Sequence, residues 1–408
     1  MYSREEALKK LKKYGQEHVL DFYGDIDEDK RKALLAQIEE TDFSVLEHTY
    51  CESDKKEGVI EPIKALQIKE IEEKKAYFLQ KGSEAIKEGK LGAVLLAGGM
   101  GTRLGFDEPK GMFDIGITRH VYIFMRLIEN LMSVTDECGK FIHLFVMTSE
   151  KNHDDTTAFF KEHDNFGYPS EYIHFFKQEM VPATDYEGKV YMESPYRIAT
   201  SPNGNGGWFS SLNSAGLIDL MDEKDIEWLN VFAVDNVLQK IADPVFLGAV
   251  LDGGYVSGSK VVKKASPDEK VGVMCLKDSH PSIVEYYELT EELMDTKDSF
   301  GDPAYNFGVI LNYLFSVREL KRIMNEKMPL HIVEKKIPHI DEKGEYIDPK
   351  EPNGHKYEKL VLDMVEMMTD CLPFEVERDK EFAPIKNRTG KDSVDTARAL
   401  LEKNGYKL

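Results

Sequence analysis

The chain has 408 residues, more than a single hydrophobic core usually covers, so two or three domains are expected. Acidic residues outnumber basic ones by 74 to 53, a formal charge of −21, and a field of that sign repels nucleic-acid backbones and anionic lipid. With no basic patch and no apolar run of membrane-spanning length, neither nucleic acid nor a membrane is an expected partner.

The start, Met1-Tyr2-Ser3-Arg4-Glu5-Glu6, lacks the cationic and apolar stretches of a signal peptide. Cys51, Cys138, Cys275 and Cys371 are far apart and form no CxxC pair, so reduced, buried thiols in a cytoplasmic protein are the expectation. The 11 histidines are scattered without metal-ligand spacing and read as surface or packing residues. Residues 1–88 are charged and helical in rhythm. Ser3 and Glu6 form an S-x-x-E capping box, Leu8, Leu11 and Tyr14 follow at helix spacing, and further helical patterns run through 31–40 and 62–79. The charge run 70–75 reads as a solvated face. We expect a helical domain over 1–88 without visible chemistry, a second domain over 89–390 that carries the chemistry-bearing motifs described next, and a short tail over 391–408.

From Leu91 the texture changes to apolar strands alternating with amphipathic helices. Val94, Leu95 and Leu96 read as a buried parallel strand bounded by glycine. The strand runs into Ala97-Gly98-Gly99-Met100-Gly101-Thr102-Arg103-Leu104-Gly105, with Pro109-Lys110-Gly111 shortly after. Glycines 98, 99 and 101 let a backbone approach an anion and turn its amides inward, while Arg103 and Lys110 add full charges. That combination predicts a phosphate site. It is not a P-loop, because Lys110 is followed by Gly111 and no Gly-Lys-Ser/Thr occurs at the required spacing. Nor is it the dinucleotide fingerprint, whose third glycine would fall at Leu104.

Further strands are predicted at 141–147, 172–176 and 228–234, with shorter ones at 261–262 and 271–275. Alternation of this kind implies a parallel or mixed sheet with helices on both faces, and ligands bind outside the carboxyl ends of its strands. The Gly98–Lys110 loop, Thr148-Ser149 and Asp235 all follow strands and are expected to converge on one crevice. Ser201-Pro202-Asn203-Gly204-Asn205-Gly206-Gly207-Trp208-Phe209 is a second glycine-rich loop leading into a short helix, in which Asn205 offers a donor and an acceptor; taken alone it reads equally as a turn. Asp235 closes the buried strand Asn230-Val231-Phe232-Ala233-Val234. A carboxylate there suits Mg²⁺, held through one or two carboxylates and phosphate oxygens, or else caps a turn.

The first loop resembles the signature of sugar-nucleotide pyrophosphorylases, G-G-x-G-T-R-L-G…P-K-G, which holds a nucleoside triphosphate. Other segments carry the likeness in order over about residues 90–400. Pro202-Asn203-Gly204-Asn205-Gly206-Gly207 is similar to P-x-G-N-G-G, and Val234-Asp235-Asn236 to V-D-N. Phe176-Lys177-Gln178 with Pro182 resembles the segment whose glutamine reads uracil, and Val284-Glu285-Tyr286 the V-E-Y whose glutamate accepts sugar hydroxyls. Tyr305-Asn306-Phe307-Gly308 falls where relatives carry a sugar-contacting asparagine. Pro352-Asn353-Gly354-His355-Lys356-Tyr357-Glu358-Lys359 resembles P-N-G-x-K-x-E-K, and Phe382-Ala383-Pro384-Ile385-Lys386-Asn387 with Gly390-Lys391-Asp392 resembles F-x-P-x-K-N…G-K-D. The nearest likeness is to the eukaryotic-type UDP-N-acetylhexosamine pyrophosphorylases of the UDP-sugar pyrophosphorylase family.

The resemblance implies an α/β fold, a Rossmann-like mixed or parallel sheet with a GT-A-like nucleotidyltransferase core. The substrates it implies are UTP and a hexose-1-phosphate or N-acetylhexosamine-1-phosphate, with Mg²⁺ as cofactor. Arg103 and Lys110 would hold the UTP phosphates, Lys110 near the α-phosphate. Lys386, with Lys356, would receive the sugar phosphate, and Asp235 would carry Mg²⁺. Gly98, Gly99, Gly101, Thr102, Gln178 and Gly204 would frame the nucleotide, and Asn205, Glu285 and Asn306 the sugar. The family's N-A-G-N reads Asn306-Phe307-Gly308-Val309 here, which narrows the acetamido pocket and removes a polar partner. From the nearest likeness UDP-N-acetylglucosamine is the first expectation for the product, and that departure makes UDP-glucose or a broader range the alternative. The chain stops at Leu408, so the small C-terminal domain of larger relatives is expected to be missing, and a monomer is the expectation. A glycosyltransferase reading would need a D-x-D motif, but Asp25-Ile26-Asp27 lies in the helical region. A non-catalytic nucleotide-sugar sensor would have lost cations that this sequence retains.

Overall fold

A computed structural model of the chain describes residues 2–48, 58–298 and 301–408, which leaves Cys51 outside the described residues. The chain divides into two units, one made of Met1–Glu57, Glu179–Gly207 and Met328–Val361, the other of Gly58–Gln178, Trp208–Lys327 and Leu362–Leu408.

In the first unit, α1 (Arg4–Lys13) opens with the expected capping box: the Glu6 amide donates to Ser3 Oγ at 3.3 Å and the Ser3 amide to Glu6 Oε2 at 2.7 Å. Helix α2 (Glu28–Glu40) begins three residues before the expected pattern, because Asp27 caps it by accepting from the Lys30 amide at 2.9 Å. One carboxylate of the Asp25-Ile26-Asp27 triplet is thus a helix cap. Ala7, Leu11, Leu34, Ile38 and Phe43 bury their apolar faces against Val181, Val190, Ile198 and Tyr357. That shared core draws two later chain segments into the unit and explains why the described residues 2–48 do not stand alone. Short antiparallel pairs complete it, Met180–Pro182 with Thr200–Pro202 and His331–Lys335 with Gly354–Glu358.

The second unit is built on a ten-stranded mixed sheet. Its strands are β1 (Ile60–Pro62), β2 (Leu91–Leu96), β3 (His143–Thr148), β4 (Ile173–Lys177), β5 (Trp228–Ala233), β6 (Ser257–Lys263), β7 (Val273–Lys277), β8 (His280–Val284), β9 (Phe307–Ser316) and β10 (Leu372–Glu375). The order is β1-β7-β9-β5-β2-β3-β4, with β6 between β9 and β10 and β8 beside β7. Strands β5, β2, β3 and β4 run parallel, with Leu95 opposite Phe232 on one side and Val146 on the other. Strand β9 enters antiparallel to β5. All six residues of β2 are buried, as a strand hydrogen-bonded and packed on both sides demands. The expected strands all form, shifted by at most a few residues.

Helices α3 (Ile68–Lys87), α4 (Ile123–Cys138), α5 (His153–Glu162), α6 (Pro244–Gly253) and α7 (Val394–Lys403) pack with this sheet. Helix α3 starts later than the sequence rhythm suggested, since Pro62 belongs to β1 and Gln67 with Glu70 forms the cap. It belongs to the sheet unit, where Ile71, Phe78 and Ile86 join the main core. A glycine pair lets it close onto α6: a Cβ on Gly82 would lie 1.8 Å from the Pro244 carbonyl, and one on Gly248 would lie 1.9 Å from that of Phe78. The division therefore falls at residue 58 rather than at 88. Among the described residues no helix is long and apolar enough to cross a membrane.

Candidate active site

Strand β2 delivers its chain into the glycine-rich loop at the carboxyl end of the sheet. The Ala97 amide still pairs with Met147 at 2.8 Å, and the chain then turns back on itself. Met100 bridges Pro109, the Gly101 amide donates to Glu108 at 2.8 Å, and the Lys110 amide donates to Gly99 at 3.1 Å. Thr102–Leu104 forms a single helical turn that leaves Thr102 and Arg103 exposed. Gly99 has open space where a side chain would go, while Gly98 faces Gln178, whose Oε1 would lie 3.1 Å from an added Cβ. Gly101 differs. A Cβ there would collide with Phe106 at 2.7 Å, so internal packing demands that glycine.

Lys110 is half-buried and within electrostatic reach of three groups that are distant in sequence. Burial pushes its pKa below the usual lysine range, the Asp235 carboxylate opposes that fall, and the like charges of Arg103 and Lys386 add to it. The loop after β2, the turn after β5 and the segment before α7 thus bring Arg103, Asp235 and Lys386 within electrostatic reach of Lys110. Gln178 is buried at the end of β4, where its amide donates to Thr148 at 2.7 Å.

The Asp235 turn is fixed by buried amides. Gln239 donates to the carbonyls of Ala233 at 2.7 Å and Asn236 at 2.9 Å, and Asn312 donates to Gln239 Oε1 at 3.2 Å. The turn is also zipped to the lysine segment: the Ile385 amide donates to the Asp235 carbonyl at 2.9 Å, and the Ala383 amide to Asn236 Oδ1 at 2.9 Å. Downstream, the amides of Lys386 and Asn387 both donate to the Asp392 carbonyl, at 2.7 and 3.0 Å, which closes a loop with Lys386 at its exposed rim.

Glu285 and Val309 flank Gly272, an added Cβ there lying 4.0 Å from Glu285 Oε2 and 3.4 Å from Val309 Cγ2. Asn306 accepts the Lys264 amide on both its carbonyl oxygen, at 2.9 Å, and its Oδ1, at 3.1 Å, so the side-chain oxygen is already engaged. The remaining sequence-derived residues belong to the first unit. There the Gly206 amide donates to the Lys359 carbonyl at 2.8 Å, and Asn205 Oδ1 accepts the Val361 amide at 2.9 Å, which ties the Gly204 loop to the chain after Lys356. Lys356 sits half-buried on its strand, its pKa lowered by burial, with Glu358 opposing and Lys335 reinforcing that fall.

Sequence reasoning missed two residues that hold the site. Fully buried Asn152 accepts the Ser149 amide at 2.8 Å and donates to the carbonyls of Ala97 at 2.9 Å and Gly99 at 3.4 Å, so it pins the glycine-rich loop to the end of β3. Arg388 reaches from the lysine segment to the Leu104 carbonyl at 3.5 Å. An Asn three residues beyond a strand-end Ser was the only local signal for the first; the second had none.

Comparison with known proteins bears on this arrangement. A profile of the family described as UTP–glucose-1-phosphate uridylyltransferase matches residues 41–401. The UDP-N-acetylglucosamine pyrophosphorylase of Saccharomyces cerevisiae is 38% identical over 338 positions, covering 79% of this chain and 70% of that one. UDP-N-acetylhexosamine pyrophosphorylase-like protein 1 of Mus musculus is 33% identical over 434 positions, covering 100% of this chain and 85% of its own. The crystal structure of the Trypanosoma brucei UDP-N-acetylglucosamine pyrophosphorylase superposes with a TM-score of 0.84 at 28% identity, covering 98% of this chain and 84% of that one.

Proposed function

The chain belongs to the UDP-sugar pyrophosphorylase family of nucleotidyltransferases, and from that premise we propose that it transfers the uridylyl group of UTP to N-acetylglucosamine-1-phosphate. The observation that carries the reading is the gathering of Arg103, Lys386 and Asp235 around Lys110 at the strand ends. A phosphate oxygen of the sugar ester attacks the α-phosphorus of UTP, the bond to the β-phosphate breaks, and pyrophosphate leaves with the electron pair. The nucleophile is already an anion at neutral pH, so the chemistry needs neither a general base nor a covalent intermediate. What it needs is alignment of two polyanions and neutralisation of their charge. Within the second unit, Lys110 and Arg103 hold the triphosphate, Lys386 takes the sugar phosphate, Gln178 frames the uridine, and Glu285 and Asn306 meet the sugar.

Among the described residues no group of three His, Cys, Asp or Glu side chains could hold a metal by itself. Asp235 alone fits a Mg²⁺ that arrives with the nucleotide, since that ion is commonly bound by one or two carboxylates and substrate phosphates. When bound it would neutralise phosphate charge. Free, buried Cys138, Cys275 and Cys371 support a reducing compartment such as the cytoplasm.

The names of the similar proteins favour an N-acetylhexosamine acceptor. Glucose-1-phosphate is the second reading, favoured by Phe307 and Val309, which bring apolar groups to the strand beside Glu285. Pyrophosphate release should be assayed with UTP, Mg²⁺ and the 1-phosphates of N-acetylglucosamine, N-acetylgalactosamine, glucose and galactose. The expected result is the highest kcat/KM with N-acetylglucosamine-1-phosphate. A glucose preference would replace the first reading with the second, and no release with any of the four would overturn both.

A further inference from the structure

Lys260, in the middle of β6, is fully buried, with no exposed side-chain surface. Its ammonium donates to Asp243 Oδ2 at 3.0 Å, to Glu381 Oε2 at 2.6 Å and to the Lys240 carbonyl at 3.2 Å. Lys240 closes the charge balance from the other side, 3.2 Å from Asp243 Oδ1, so two cations face two carboxylates. Burial acts to raise the Asp243 pKa, yet Lys260 and Lys240 hold it well below the ordinary carboxylate value. Strand β9 bulges directly opposite. Its register with β6 shifts between Ser259 and Val261, and Leu311 takes a φ of 54°, a left-handed conformation that a bulky residue rarely adopts.

A buried ion pair is weak evidence of a stabilising role, because replacing one with apolar side chains of similar volume is often neutral or stabilising. What the cluster joins is more informative. Asp243 and Lys240 end the turn that begins at Asp235, and Glu381 begins the segment that leads to Lys386. The two segments are then laced together: Asn236 Nδ2 donates to the Glu381 carbonyl at 2.8 Å, and the Ile385 amide donates to the Asp235 carbonyl at 2.9 Å. One buried cation therefore clamps the roots of both chain segments that present the carboxylate and the outer lysine beside Lys110.

We propose that Lys260 is a positioning residue, which sets the separation of Asp235 and Lys386 by holding Asp243 and Glu381 together beneath them. The proposal rests on the uridylyltransferase reading. Without the ammonium, Asp243 and Glu381 lose the donor that joins them, one of the two buried carboxylates takes up a proton, and the segments are no longer held at a set separation, while the Gly98–Lys110 loop keeps its anchor to β3 through Asn152.

The test compares wild type, Lys260→Met, Glu381→Gln and the double variant. Each is assayed for turnover with saturating UTP and a varied sugar-1-phosphate, and for UTP affinity by calorimetry in EDTA, where no metal bridges UTP to Asp235. The expected result for Lys260→Met is about a hundredfold loss in kcat/KM for the sugar-1-phosphate, the scale of a roughly 1 Å misplacement. UTP affinity should stay within about twofold, and the double variant should regain about tenfold because an amide at position 381 can donate to Asp243 in place of the lost ammonium. Turnover of Lys260→Met near wild type would overturn the proposal. So would a UTP affinity that falls in step with turnover, or a double variant no better than the single one. If Lys260→Met does not fold, Glu381→Ala, which removes the acceptor that the ammonium grips on the lysine segment, must show the same split between turnover and UTP affinity, and its absence overturns the proposal. An inactive wild type instead refutes the uridylyltransferase reading, which the panel above tests separately.

Discussion

Replacing Lys110 by methionine removes one charge and little volume, and leaves the backbone bond from the Lys110 amide to Gly99 in place. A cation about 4 Å from a phosphate oxygen contributes on the order of 4 kcal/mol at an effective dielectric near 20. Each 1.4 kcal/mol is about tenfold in rate, so full loss of that interaction approaches a thousandfold. Arg103 and Lys386 remain and compensate in part, which brings the expected loss in kcat to about 10²–10³-fold. Stability should move the other way. Burial holds the Lys110 pKa below that of an unfolded-state lysine, so between the two values the unfolded chain binds more protons and wild-type stability rises with pH. At neutral pH the charged, half-buried ammonium is therefore a cost, and Lys110→Met should melt at the wild-type temperature or above it. The assays are pyrophosphate release and calorimetric melting at pH 7 and pH 9.5. A variant with near-normal kcat refutes the electrostatic argument, and one that melts well below wild type refutes the account of its burial.

Asn152→Leu should lose about 2–4 kcal/mol in urea unfolding with an unchanged m-value, because three hydrogen bonds go and the Ser149 amide is stranded. Its UTP affinity should fall as well, which a full-affinity variant would contradict. For Asp235→Asn, the Mg²⁺ concentration giving half-maximal turnover should rise at least about tenfold, since a carboxylate ligand is replaced by an amide. An unchanged titration removes Asp235 from the metal shell. His143 and His174 share a 2.9 Å hydrogen bond across β3 and β4. Burial, the neighbouring His174 and nearby lysines push the His143 pKa down to about 4. Because this folded-state value lies below the unfolded one, the unfolded chain takes up the extra proton as pH falls from 6.5 towards 4, and stability is lost over that window. Solvent reaching the half-exposed ring reduces the effect to about 1–2 kcal/mol, and a His143→Phe variant should show a flatter urea-midpoint profile there.

The sequence by itself determined those features that are written locally. The apolar run Val94-Leu95-Leu96 specifies the core of β2 as a buried strand, and the glycines, Arg103 and Lys110 that follow are the local pattern on which the proposed anion site rests. The Ser3–Glu6 cap and the alternation of strands with helices were legible for the same reason, since they depend on neighbours a few residues away. The domain boundary was not, because helical rhythm says how a segment folds but not against what it packs. Helices α1 and α2 bury their apolar faces on Val181, Val190 and Tyr357, whereas α3, equally helical, locks onto α6 through Gly82 and Gly248. The supports of the site were hidden for a related reason. Asn152 reaches Ala97 across 55 residues, Arg388 reaches Leu104 across 284, and Lys260 reaches Glu381 across 121. A polar side chain in sequence looks the same whether it faces water or a distant carbonyl. Only the fold, by removing water from Lys260, Asn152 and Asn312, turns them into fixed hydrogen-bonding groups that must find partners and so determine where the charged residues stand.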